Sequence, residues 1–178
     1  MIVNSGFRIE EKIDTGVEPV DLDMIKSHLS ITFDDSDSLL EMLAVAAREE
    51  VEEYLGISIV DKTITCSWNT LSCVELPYAP IKQVISTTDG TDEIDDVTYT
   101  GTGYIRINAN REYPTTVTYE TGFTGGVPVA LKLAILKLTT DHYEQRTGIS
   151  IGGNQTIQSF NNDWKQTCKR YSRKNFLQ

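Results

Sequence analysis

The residues able to do chemistry in this chain are few, and none forms a complete constellation. Asp34, Asp35 and Asp37 resemble the opening of a calcium-binding loop, but the glycine and terminal glutamate of such a loop are absent at their positions. Their type and place suit the start of a helix instead, where carboxylates accept from free N–H groups and face the positive end of the dipole. His142 stands between Asp141 and Glu144 with no nucleophile indicated beside it. Gly152-Gly153 lacks the lysine and the strand–helix context of a phosphate loop, and neither HExxH nor GxSxG occurs. Cys66, Cys73 and Cys168 with His28 and His142 lack zinc-ligand spacing, so the cysteines read as three reduced thiols packed as small apolar groups. The sequence therefore predicts no enzyme, no metal and no cofactor.

What remains is contact chemistry. Trp164, Tyr171 and Phe176 interleave with Lys165, Lys169, Arg170, Arg173 and Lys174, and the last fifteen residues hold no acid. Such a basic, aromatic tail suits docking on a protein partner or stacking on nucleic acid. Against it stands an acidic body. Residues 1–100 contain 6 Lys/Arg and 21 Asp/Glu, residues 101–178 contain 10 and 5, and the formal net charge is -10. A chain of this balance does not grip phosphates with its whole surface.

The elements that carry these residues are legible. Leu22, Ile25 and Leu29 share one face of a short helix capped by Asp21. After the acidic turn, Leu39, Leu40, Leu43, Ala47, Val51, Tyr54 and Leu55 predict an apolar stripe on a long helix stopped by Gly56. Glu41, Glu49, Glu52 and Glu53 fall off that stripe as an exposed acidic face. Residues 1–20 read as an arm or extended strand. From residue 62 the pattern turns to short β-prone runs: Ile64, Cys66 and Trp68 alternate with Thr63, Thr65 and Ser67. Turns follow at Asp89-Gly90 and Gly101-Thr102-Gly103. A helix over residues 128–146 opens with Pro128 and is apolar nearly all round, which predicts burial on several sides, a neighbouring subunit included. A Gly-rich link, SIGGNQTI, then leads to a short helix through Trp164, Cys168 and Tyr171.

A chain of 178 residues is long enough to bury roughly 70% of its extended surface. The fold class expected is α+β: a helical hairpin over residues 21–56, a small antiparallel β insert over 62–120, and a long buried helix. Together they make one domain over residues 1–149, followed by a C-terminal arm over 150–178. No run approaches the ~20 apolar residues of a membrane span, and MIVNSGFRIEEK has no signal-peptide core, so maturation in a cytoplasm is expected.

Residues 21–56, DLDMIKSHLSITFDDSDSLLEMLAVAAREEVEEYLG, resemble the opening of the tailed-phage head–tail connector proteins, also called adaptor or head-completion proteins. Residues 118–146, TYETGFTGGVPVALKLAILKLTTDHYEQR, are similar to that family's closing strand, turn and helix. LPYAP over residues 76–80 sits where its longer members carry an LP..P motif. The resemblance implies a structural virion protein. It would form a ring, commonly of twelve subunits, beneath the portal, extend the channel through which double-stranded DNA passes, and bear the tail or its stopper. Trp164, Lys165, Lys169, Arg170, Tyr171, Arg173, Lys174 and Phe176 would then dock on the portal. Glu41, Glu49, Glu52 and Glu53 would face the channel or a neighbouring subunit. The β insert departs from the shortest, nearly all-helical members. The rivals are a small DNA-binding packaging or regulatory module using the basic tail, and a tail-completion protein.

Overall fold

The computed structural model describes residues 6–90, 92–95, 97–109, 112, 114–144 and 163–172. The fold is α+β. In chain order it runs β1 (Arg8–Asp14), α1 (Leu22–Leu29), α2 (Asp37–Leu55), β2 (Lys62–Trp68), β3 (Val74–Glu75), β4 (Ile81–Thr88), β5 (Thr98–Thr100), β6 (Arg106–Asn108), β7 (Thr115–Thr121), α3 (Val129–Glu144) and α4 (Asp163–Cys168). A 3-10 turn, Lys169–Tyr171, closes it. The contacts gather into two compact units. Unit 1 comprises Met1–Val17 and Gly56–Gly126; unit 2 comprises Glu18–Leu55 and Val127–Gln178. Each is therefore assembled from two separate stretches of sequence. The expected domain boundary at residue 150 lies outside the described residues.

Unit 1 holds the β structure. Its larger sheet is antiparallel in the order β1-β2-β7-β4, and β3, β6 and β5 form a second, small sheet. β2 and β7 occupy the middle because both alternate strictly between buried and half-buried positions, the signature of a strand with one core face. Ile64, Cys66 and Trp68 from β2 meet Val117 and Tyr119 from β7 over Leu71, Leu76, Ile81, Val97 and Ile107. The Tyr119 hydroxyl donates to the Pro77 carbonyl at 3.1 Å, which satisfies the one polar group that ring carries into the core.

The segment over residues 1–20, expected as an arm or extended strand, holds strand β1. All seven of its residues are exposed, so it shows no burial alternation to read, and its pairing with β2 alone makes it a strand. It is an edge with two features that discourage further strand addition. Its register shifts between Ile9 and Glu11, and Asp14 on it pairs with the buried ammonium of Lys62 at 2.6 Å. β4, the other edge, carries two register shifts.

At one end of this sheet four strand termini converge on Asp61. Its carbonyl accepts from Thr15 N–H at 2.8 Å and Gly16 N–H at 3.0 Å. Its carboxylate takes Lys82 at 2.7 Å. Gly122, at φ 121°, passes so close that an added Cβ would sit 2.2 Å from Asp61 Oδ1 and 3.1 Å from Asp61 Cα. Only glycine fits both that conformation and that space.

Unit 2 is helical. α1 is capped as expected: Asp21 Oδ1 accepts from Met24 N–H at 2.8 Å. The acidic turn behaves differently from expectation. The carboxylates of Asp34 and Asp37 take the Lys26 ammonium at 2.5 and 2.9 Å, tying the turn back to α1. The Lys26 hydrogen bond holds the Asp34 carboxyl below its ordinary range. α2 packs on α3 and α1 on both. α3 is not buried all round. Leu131, Ala134, Ile135, Leu138 and Thr139 are buried, whereas Val129 and Leu133 are 80% and 38% exposed. No helix among the described residues is long and apolar enough to cross a membrane.

Candidate assembly surfaces

The stripe that α2 buries is turned from the one its apolar residues suggest. It comprises Leu40, Ala44, Ala47, Arg48, Val51, Glu52 and Leu55. Leu39 and Leu43 are only half-buried, and Tyr54 is 46% exposed. Two charged residues thus lie inside the stripe. Arg48 Nη1 donates to Glu52 Oε2 at 2.7 Å, and its Nε reaches both carboxylate oxygens of Glu18 at 3.0 Å. Glu49 stands on the wet side of the same guanidinium at 3.6 Å. A buried guanidinium surrounded by carboxylates is tolerable because its donors are matched in a fixed plane. The expected four-residue acidic face is therefore corrected to three. Glu41, Glu49 and Glu53 are exposed, and Glu52 is an internal partner of Arg48.

The tail residues divide in a similar way. Trp164 is 1% exposed and Cys168 fully buried, because α4 packs on α3. Lys137 fastens it, donating to Asp163 at 2.5 Å and to Thr167 at 3.1 Å. The Trp164 ring meets Tyr54 edge-on at 5.2 Å, and burial pushes the Cys168 thiol up to about 11. Trp164 is thus an anchor of unit 2 itself and is not presented to a partner, which corrects its expected role. Lys165 lies over the rings of Trp164 and Tyr54 at 5.2 and 5.5 Å. Lys169 and Arg170 are exposed, and Tyr171 is half-buried with Arg170 over its ring. Arg173, Lys174, Phe176 and the Gly152-Gly153 link lie outside the described residues.

Among the described residues the other candidates form no reaction centre. His142 pairs with Glu50 on α2 at 3.3 Å. Cys66 is buried, whereas Cys73 is exposed with its thiol against Asn108 at 3.2 Å, contrary to the expectation of three packed thiols. Among the described residues no group of His, Cys, Asp or Glu is arranged to hold a metal ion. What unit 2 offers is surface: an acidic outer face on α2, an apolar outer face on α3 and exposed bases on α4.

Comparison with known proteins agrees with a contact role. The sequence matches the head completion protein family over residues 20–163. No curated protein matches the chain. Its fold is shared by a set of solved structures. Three of these are the neck of an empty gene transfer agent (GTA) particle computed with C6 symmetry (TM-score 0.69, 15% identity), the virion of a native GTA particle (0.65, 16%), and the neck of a native GTA particle computed with C12 symmetry (0.62, 14%). In each, the match covers 90% of this chain and 94% of the other.

Proposed function

Because the chain belongs to the head completion protein family, we propose that it is a structural virion protein, a head–tail connector that sits beneath the portal as a homo-oligomeric ring. The ring extends the channel for double-stranded DNA and gives the tail or its stopper a platform. The observation that carries this reading is the family match, which spans both units. The shared fold supports it, since the same architecture occurs in particle necks with C6 and C12 symmetry. A ring of twelve subunits is the form proposed, as in the C12 neck. Glu41, Glu49 and Glu53 suit either the channel, where carboxylates repel phosphates and keep DNA moving, or a subunit contact. The role is mechanical, with no cofactor and no catalysed reaction. Negative-stain imaging of the purified chain, alone and with isolated portal, tests it. Rings coaxial with the portal are expected; a chain that stays monomeric even on particles rules the reading out.

We assign the portal contact to the end of the chain: Lys165 on α4, Lys169, Arg170 and Tyr171 in the turn after it, then Arg173, Lys174 and Phe176. Aromatic and arginine side chains are the usual anchors of interfaces. Removing residues 154–178 would take away the buried Trp164 and Cys168, so it disturbs unit 2 as well as docking. Ending the chain at Ser172 separates the two effects. That truncation keeps Trp164 and Cys168 in place and is expected to weaken head attachment by removing Arg173, Lys174 and Phe176. Normal attachment by the shortened chain would take Arg173, Lys174 and Phe176 out of the portal contact.

A further inference from the structure

Unit 1 carries an apolar groove along its edge strand β4. Val84, Ile85, Ile94, Tyr99 and Ile105 give its walls, and Glu93 stands at its rim. The register of β4 against β7 shifts between Val84 and Ser86. That bulge turns Ile85 outward, 49% exposed, while Val84 and Thr87 stay opposite the buried Tyr119 and Val117. Tyr99 is pinned against β4, because its hydroxyl is hydrogen-bonded to that of the buried Thr87. On its outer side β4 is bridged at Ile81 to Gly103 and at Thr88 to Glu93. Between those bridges no strand lies beside it among the described residues. At about 320 Å³ and open to solvent, the groove admits side chains from a protein segment and does not enclose a small molecule.

We infer that this groove seats the protein on the tail side of the connector, which enters it with an apolar side chain flanked by lysine or arginine. This inference rests on the connector reading and names the surface that makes the platform. Charge sets the chemistry of the occupant. Residues 83–105 hold five acids and no base. The turn after β4 is held by Asp89 N–H donating to the Asp92 carbonyl at 3.2 Å and Ile94 N–H to the Thr87 carbonyl at 2.9 Å. It sets Asp92 and Glu93 exposed beside the groove, with Asp95 just past Ile94. The flanking bases do not neutralise them. Lys82 is committed to Asp61 at 2.7 Å. Arg106 stands opposite Glu75, on the other face of its strand from Ile107, the residue that Tyr99 pairs with. An apolar floor under such a rim favours a basic segment and repels an acidic one. The portal is therefore not the occupant, since a surface made to meet the basic end of this chain would itself be acidic. That basic end, residues 165–174, is given to the portal, which leaves the tail-side protein for the groove. The two register shifts of β4 exclude a long added ladder, so the apolar anchor and the rim charges hold the segment.

The test is imaging of particles assembled with variant chains, scored separately for rings on the portal and for attached tails. Asp92→Lys/Glu93→Lys is expected to keep the unfolding midpoint and the rings while the tailed fraction falls by at least about tenfold. Ile85→Asp is expected to do the same, and the charge variant decides if Ile85→Asp lowers the midpoint. Glu11→Lys, at an exposed acid on β1, is the control and is expected to leave tails attached. Normal tailing by the charge variant would overturn the inference and leave the ring reading intact. Loss of the rings themselves in that variant would make the groove a contact between subunits, which also overturns it. An equal loss of tails with Glu11→Lys would reduce the effect to overall charge and overturn the site. No ring even from the unaltered chain would overturn the connector reading and this inference together.

Discussion

Gly122→Ala is expected to be among the most damaging single substitutions in the chain, lowering stability by about 3 kcal/mol or more. Two effects combine. A side chain at φ 121° is strained whatever the space around it. The new Cβ would also press on Asp61, whose carboxylate is already committed to Lys82. Yielding there disturbs the carbonyl that anchors Thr15 and Gly16. Against a total of roughly 5–15 kcal/mol for an ordinary domain, such a loss is severe. Gly125→Ala is the control, since Gly125 has open space around it and no positive φ. Urea denaturation of both variants measures the difference, and equal midpoints would remove Asp61 as the reason for glycine at position 122.

The second large effect belongs to the buried charge network. Glu52→Ala is expected to cost about 3–5 kcal/mol, because it strips a buried guanidinium of its closest carboxylate. Glu49→Ala, at the exposed side of the same arginine, is expected to cost less than about 1 kcal/mol. The pair Arg48→Met with Glu52→Leu is expected to recover most of the loss, since an apolar pair of similar volume needs no desolvated charges. Thermal unfolding of the three variants decides it. A Glu49 effect as large as that of Glu52 would mean that the two glutamates share one environment.

These two sites mark how far the sequence is legible. β2 and β7 could be read from their alternation, because each has one core face and one half-open face and the period of two survives in the residue types. The hairpin at Gly101-Thr102-Gly103 could be read from its turn chemistry, and β5 and β6 pair across it. β1 could be read only as an arm or extended strand, without bounds, since an edge strand exposed at every position has no burial pattern to show. The stripe on α2 was misplaced for a different reason. Charged residues read as wet, yet Arg48 is buried because Glu18, thirty positions away, folds back to meet it. The i,i+4 spacing of Arg48 and Glu52 was the one local hint. Trp164 was misassigned likewise: a tryptophan among lysines fits an exposed anchor as well as a buried one, and Tyr54 decides between them.

The order of segments also has a consequence for synthesis on the ribosome. β7 pairs with both β2 and β4, yet it is the last strand of its sheet to be translated. α2 is complete at Leu55, but the helix that covers it begins only at Val129. At typical translation rates of about 5–20 residues per second, that stripe waits roughly 4–15 s for its cover. Through that interval the nascent chain displays Leu40, Val51 and Leu55 beside an arginine whose neighbour Glu18 is already made. Early pairing of Arg48 with Glu18 and Glu52 would hold a polar seam in the waiting helix, and α2 would then meet the emerging α3 with its charges matched.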